Sequence, residues 1–334
     1  MITSSRRTKV AMEEAANAVN TLSTFLAHEQ ISSVEELNQF LRSFPKPNSK
    51  VGTHHHQPTD AIVFCASSVL SLATNVFSSM PTTDTVSSTK IDLEGRNTVL
   101  ILCGGIGHST PHLYDAVAQH PSYNAIAKEV QGKAESRVLQ LIAERWFGVH
   151  ALDIGSEGAT VRPDDKNKLL VVVEDRSTNC GGNASESRKV LEACGVESPR
   201  SIVVVQDPTM SRRTVATFNK AYKDRGIALP LVVSWPTFIP KVRVKDPAER
   251  AGKEDVLNQI VYANNHTSNI EASSLWSMKR FVDLLMGEIP RLQDDADGYG
   301  PMGKGFIVHV EIPENVKNAW NVMNAILGEQ SRDR

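Results

Sequence analysis

Val99-Leu100-Ile101-Leu102-Cys103-Gly104-Gly105-Ile106-Gly107-His108-Ser109-Thr110-Pro111 is the stretch that decides the fold. Its first four residues are apolar without alternation, the pattern of a parallel strand covered on both faces. Three glycines follow, and without Cβ atoms they let the backbone turn sharply and approach a ligand closely. Thr110 and Pro111 then read as a hydroxyl N-cap and a first-position proline, with Leu113, Tyr114 and Val117 at helical spacing behind them. Strand, glycine loop and helix N-terminus together form an anion-binding corner, with free N–H groups and the positive dipole end facing the loop. His108, Ser109 and Thr110 add side-chain donors to it.

Working outward, the same apolar signature recurs at residues 61–65, 169–173, 201–205 and, broken by the prolines at 230 and 236, 229–235. Helical patterns separate these strands: Leu70, Ala73, Val76 and Phe77; then residues 132–149 with Ala134, Val138, Leu141, Ile142 and Phe147 inward; then Val190, Leu191 and Cys194; then Val215, Phe218 and Tyr222, running to Gly226. Asn183 with Glu186 reads as a capping-box start, and Asp207-Pro208 as another N-cap and first proline. Strand and helix in alternation predict an α/β fold with a mainly parallel sheet and helices on both faces. The pattern leaves the strand order open. Ligands bind outside the carboxyl ends of such strands, where the glycine loop, the Ser177–Asn183 loop and the Asp207–Arg213 turn all fall.

The flanks read as a smaller helical part. A helix over residues 6–29 carries Ala11, Ala15, Ala18, Val19, Leu22, Phe25 and Leu26 on one stripe. Ser32 or Ser33 caps a short second helix, and Pro45 and Pro47 end it before a linker that runs to Thr59. Three adjacent linker histidines, His54 to His56, do not have the spacing of a built metal site. Polar insertions are expected at 78–97 and 155–168. After residue 253 the pattern predicts helices over 256–263 and 273–285, a charged glycine-rich loop over 291–305, a strand over 306–310 and a last helix opened by Pro313. The expected organisation is therefore 1–57 helical segment and linker, 58–245 α/β domain, and 246–334 mainly helical.

Composition restricts the function. A 334-residue chain with 40% hydrophobic and 22% charged residues can bury a full core. Its formal net charge of −2 predicts neither nucleic-acid nor membrane attraction. Cys65, Cys103, Cys180 and Cys194 lack zinc or CxxC spacing and read as reduced cytosolic thiols, and no metal is expected. There is no signal-peptide pattern and no run near the roughly 20 apolar residues of a membrane helix. The expectation is a soluble, cytoplasmic protein with a small-molecule ligand; the oligomeric state is not readable.

Several motifs bear on chemistry. Gly105-x-Gly107-x-x-Thr110 imitates half a dinucleotide fingerprint but lacks the acid about twenty residues on, and no P-loop exists. Arg212 and Arg213 near a helix start go against the dipole, which an anion nearby would offset. Ser177, Thr178, Asn179 and Asn183 supply short polar groups for turns or ligand contacts. Glu135 begins a helix, where the dipole favours an acid. Leu152–Gly158 imitates the first motif of many methyltransferases but enters a polar insertion rather than a helix, and Asp294–Gly298 lacks the closing glutamate of a calcium loop. No Ser-His-Asp order or nucleophile elbow occurs.

Gly104-Gly105-Ile106-Gly107-His108-Ser109-Thr110, Ser177-Thr178-Asn179-Cys180 and Gln206-Asp207-Pro208-Thr209-Met210 with Arg212-Arg213-Thr214 resemble the DUF218 family, most closely its bacterial YdcF branch. Arg291-Leu292, Asp294-Asp295, Asp297 to Pro301 and Phe306 to Val310 resemble that branch's tail. The likeness covers about Pro58 to the C-terminus. It implies a Rossmann-like domain with a smaller helical part, no firmly assigned reaction, and S-adenosylmethionine as the suggested ligand. The first loop has Ala66-Ser67-Ser68 where the family often has glycine, so the resemblance assigns little there. Broader family members are often membrane-anchored; no anchor is expected here.

The resulting expectation is a nucleotide-like anionic ligand at the strand ends. Gly104, Gly105 and Gly107 shape its cradle, and His108, Ser109 and Thr110 donate to it. Ser177, Thr178, Asn179, Asn183 and Thr209 complete the walls. Arg212 or Arg213 pairs a carboxylate or phosphate, and Asp207 or Glu135 takes an amine or hydroxyl. Two other classes stay open: a hydrolase or transferase with His108 as acid/base, and a non-catalytic sensor or interaction protein.

Overall fold

A computed structural model describes residues 2–44, 58–81, 89–223, 229–249, 256–263, 270 and 272–332. The linker histidines, most of the 45–59 linker, the middle of the 78–97 insertion and the Gly226 helix stop lie outside the described residues. The chain divides into two compact units, described in turn. One comprises residues 29–207 and 214–237, the other 1–28, 208–213 and 238–334. The helix at the N-terminus therefore groups with the C-terminal segment, whereas the short second helix groups with the sheet.

The larger unit is a five-stranded parallel sheet: β1 (Thr59–Cys65), β2 (Asn97–Cys103), β3 (Leu169–Glu174), β4 (Ser201–Val205) and β5 (Leu231–Ser234). Its order is β3-β2-β1-β4-β5, a Rossmann-like arrangement. β1 is hydrogen-bonded on both edges, with Ile62 opposite Leu100 on one side and Val203 on the other. Ala61, Val63, Val99, Ile101, Ile202 and Val204 pack beneath α6 (Cys180–Ala193) and α7 (Ser211–Lys223), through Ala184, Leu191, Val215, Phe218 and Tyr222. On the opposite face Phe64 meets Phe77 of α3 (Ser71–Ser78), which meets Phe147 of α5 (Glu135–Phe147). Helices thus cover both faces, which explains why the strands read as unbroken apolar runs.

At the amino ends of the strands, Asp60 is fully buried and held bidentately by Arg200, with the Ser201 hydroxyl donating to it at 2.7 Å. α2 (Val34–Ser43) starts at Ser33, whose hydroxyl accepts from the Glu36 N–H while the Glu36 carboxylate takes the Ser32 N–H. Of the two expected caps, Ser33 is the one used.

The smaller unit joins α1 (Ile2–Ala27), α8 (Met278–Leu292) and α9 (Glu314–Arg332) to a two-stranded antiparallel ribbon of β6 (Val242–Val244) and β7 (Ile260–Tyr262). The Asn20 amide on α1 clamps both the N–H and the carbonyl of Val242.

Several local expectations fail. Residues 256–263 are not a helix. A 3₁₀ turn over Val256–Gln259 leads into β7, where β-branched Ile260 and Val261 take the extended form once β6 offers a partner. Residues 306–310 form no strand, because the Phe306 and Ile307 N–H groups both turn back to the Tyr299 carbonyl. α6 is capped four residues earlier than expected. The Asn179 carboxamide accepts from Gly182 N–H at 2.9 Å, which leaves Asn183 inside the helix and Glu186 paired with Lys189. α7 begins at Ser211, after a turn that follows Asp207.

Removing Asp60 leaves the half-buried Arg200 guanidinium without its carboxylate. Asp60→Ala is expected to lower unfolding free energy by about 3–5 kcal/mol, read from urea denaturation midpoints at unchanged slope.

Candidate functional site

The sheet order decides where a ligand cleft lies. From β1 the chain steps outward through β2 to β3, then returns to place β4 on the other side of β1. Loops leaving β1 and β4 therefore diverge, and the crevice between them is the usual binding place of an open α/β sheet. The loop after β1 is Ala66-Ser67-Ser68, and Gln206-Asp207 leaves β4. The Ser67 hydroxyl donates to Asp207 Oδ2 at 3.0 Å across this gap, and Asp207 is 4% exposed. Asp207 is among the expected ligand groups, and Ser67, expected only as part of a small-residue loop, is not. The signal for Ser67 was a short turn of small residues after the first strand, which gains meaning only from the strand order.

The glycine loop lies one strand over, after β2, and its three glycines serve different purposes. A Cβ on Gly105 would come 2.4 Å from the Ser177 carbonyl oxygen, and that same carbonyl accepts from Gly105 N–H at 2.7 Å. Gly107 is close to the Thr178 carbonyl in the same way, at 3.0 Å from its would-be Cβ. These two residues are glycine so that the loop after β3 can lie against them. Gly104 has φ +145°, a conformation that side chains rarely adopt, and its N–H donates to the Glu174 carbonyl.

Much of the expected free N–H array is thus used internally. Gly107 N–H donates to Thr110 Oγ1 at 2.8 Å, and Thr110 N–H to the Gly107 carbonyl. Thr110 is the first residue of α4 (Thr110–Gln119), and Ser109 precedes it without a side-chain cap bond. The Thr110 hydroxyl is not a cap; it donates onward to Glu135 Oε1 at 2.8 Å. Among the described residues the N–H groups of Ile106, His108 and Ser109 have no protein acceptor. His108 and Ser109 are exposed at the loop tip.

Two carboxylates flank this loop with contrasting surroundings. Glu174 is buried, and its oxygens accept from Arg176 N–H at 2.7 Å, Ser177 N–H at 2.8 Å, the Ser177 hydroxyl and the Cys103 thiol. With these donors it acts as the fastener of the β3 loop. Burial, with the Cys65 and Glu174 groups beside it, pushes the Cys103 thiol well up, so it stays protonated and weakly nucleophilic. Glu135 is different: only Thr110 donates to it, and Oε2 has no hydrogen-bond partner among the described residues. Its Oε2 lies 3.2 Å from where a Gly104 Cβ would be. Burial raises its pKa, and the Thr110 bond offsets part of that.

The structure brings Gly104, Gly105, Gly107, His108, Ser109, Thr110, Glu135, Ser177, Thr178, Asn179 and Asp207 to the carboxyl ends of β1–β4 in the larger unit. Thr178 and Asn179 are exposed on the β3 loop, Ser177 is buried beneath it, and Asn183 lies half-buried in the first turn of α6. Thr209, Arg212 and Arg213 belong to the smaller unit. There the Arg213 fork is taken by both oxygens of buried Glu288, which Arg291 also contacts at 3.1 Å. Arg212 donates to the Phe25 carbonyl at 2.6 Å.

Among the described residues no group of three or more His, Cys, Asp or Glu side chains could hold a metal ion. The Asp294 and Asp295 carboxylates are occupied by the N–H groups of Met302, Asp297 and Gly298 and by His309. Leu152 makes an isolated parallel bridge to Val172, and residues 154–158 form turns and bends rather than a helix start. No described helix is long and apolar enough to cross a membrane. No family model matches the chain.

Two outcomes follow. Gly105→Ala forces apart two backbone segments and is expected to cost about 1–3 kcal/mol, measured as a lowered melting temperature. Glu135 has a folded-state pKa above its unfolded value, so the native state binds the proton more tightly and stability falls as pH rises through that folded pKa. Glu135→Gln, which still accepts from Thr110, should melt higher than the parent at neutral pH. The gap should close as pH falls below the ordinary glutamate range of about 4.

Proposed function

We propose that this chain binds a nucleotide-like small molecule at the carboxyl ends of its parallel strands, with S-adenosylmethionine as the ligand that the DUF218 resemblance implies. The observation that carries this reading is the buried Asp207 held by Ser67 across the gap between β1 and β4. A desolvated carboxylate at that crevice suits the hydroxyl groups of a ribose or a ligand amine. Glu135, at the start of α5 beside the glycine loop, supports the same chemistry, because one of its oxygens has no hydrogen-bond partner among the described residues.

The N–H groups of Ile106, His108 and Ser109, beside the start of α4, suit a single carboxylate on the ligand. A polyphosphate fits poorly beside Glu135 and Asp207. S-adenosylmethionine combines one carboxylate with an amine, a sulfonium cation and two ribose hydroxyls, so its charges match these two sides. The ligand class is favoured on chemistry; no reaction is assigned to it.

Isothermal titration calorimetry of the full chain with S-adenosylmethionine, adenosine and ATP tests the reading. Binding of the first, weaker binding of adenosine and the weakest binding of ATP are expected. Asp207→Asn should weaken S-adenosylmethionine by about tenfold or more, as loss of a charge-assisted hydrogen bond does. No heat with either S-adenosylmethionine or adenosine overturns it.

A further inference from the structure

The smaller unit contains an open cleft of about 670 Å³ between α1, the approach to β6 and the start of α9. Two cations, Arg212 and Lys241, line it. The Arg212 guanidinium lies 3.9 Å over the Phe25 ring and uses Nε for the Phe25 carbonyl. Its two terminal nitrogens have no hydrogen-bond partner among the described residues, and no described carboxylate pairs with it. Arg213, its neighbour, shows the contrast: its charge is matched by Glu288. A half-buried guanidinium without a counter-charge loses hydration that nothing in the protein replaces.

Other features of the cleft add to this. Lys241 lines it and donates to the Thr24 hydroxyl. Pro313, Asn315 and Val316 bring the N-terminus of a 19-residue helix to the same wall. In that first turn the Val316 and Lys317 N–H groups return to the Pro313 carbonyl, while those of Glu314 and Asn315 belong to the orphan set of a helix start. None of the described residues lining the cleft is acidic.

We infer that this cleft is a second binding site, for a small ligand bearing a carboxylate or phosphate group that pairs with Arg212 and Lys241. The planar fork of Arg212, already stacked on Phe25, is pre-set for two parallel bonds to such an oxyanion. Lys241 and the α9 N-terminus face the remaining oxygens. The inference is independent of the strand-end reading, since none of its residues belongs to the larger unit.

His28 offers a reporter in the same unit. Burial, and then the Arg212 charge, lower its pKa to about 4. An anion on Arg212 cancels part of that charge and must raise the histidine pKa.

The experiment titrates the full chain at low ionic strength with inorganic phosphate and, separately, with succinate. It follows binding heat and the His28 ring resonances by NMR. At least one anion is expected to bind at millimolar concentration or better and to move the His28 titration upward. Phosphate alone, or succinate alone, identifies which oxyanion the site takes. Arg212→Gln should weaken binding about tenfold or more and remove the His28 response, and Arg212→Lys should retain part of it. Lys241→Gln should weaken binding without altering the His28 titration of the unliganded protein. Absence of heat and of any His28 shift with both anions overturns the proposal, as does equal binding by folded Arg212→Gln. Neither probe contains a nucleoside, so this outcome is read separately from the strand-end titration.

Discussion

A strand buried on both faces and hydrogen-bonded along both edges has no surface of its own, and its only outlet is the loop at its carboxyl end. β1 is in that position: Ala61, Ile62, Val63 and Cys65 are fully buried, with β2 on one side and β4 on the other. Everything in the larger unit follows from satisfying that strand. The chain lays β2 and β3 on one flank and returns for β4 and β5, each parallel neighbour reached by a crossover connection. The return opens a gap between the loops after β1 and β4, and Ser67 and Asp207 span it. At the other end of the same strand, buried Asp60 keeps the entry of β1 tied to the Arg200-Ser201 entry of β4.

The glycine loop shows how a motif shaped like a ligand cradle can be built largely for the protein's own backbone. Gly105 and Gly107 admit the carbonyls of Ser177 and Thr178, and so join the β2 and β3 loops into one wall. Glu174 holds the far side of that wall through backbone and hydroxyl donors. With those groups satisfied, the chemical interest passes to the acceptors with capacity left, Glu135 above all. Most of the loop's N–H groups are used within the protein, while Glu135 keeps an oxygen without a hydrogen-bond partner among the described residues.

In the smaller unit Arg213 is paired with an acid, while the adjacent Arg212 has no carboxylate partner among the described residues. Glu288 is buried and takes both Arg213 and Arg291, a closed cluster whose disruption would leave a charge uncompensated. Arg212 has an aromatic face and a carbonyl instead, which support the side chain without neutralising it. Two adjacent arginines thus have opposite electrostatic situations, and their sequence context is almost the same.

The sequence by itself determined the five buried strands, the helices between them and the α/β class, because unbroken apolar runs and 3.6-residue stripes are local consequences of burial. It also located the loops at the strand ends with Asp207 and the glycines within them, and Glu135 at a helix start. Strand order lay beyond it, since order depends on which apolar faces meet at long range. For that reason Ser67 is legible only as part of a small-residue loop, while its partner Asp207 stands out at a helix start. Caps were misassigned where two polar residues competed: Asn179 displaced Asn183 because the chain enters α6 earlier, against the glycine loop. Residues 256–263 and 306–310 carry ambiguous short apolar patterns, resolved only by a partner strand in one case and a returning Tyr299 carbonyl in the other. Whether an arginine is matched by an acid 75 residues away, as Arg213 is by Glu288, is likewise a property of the folded chain alone.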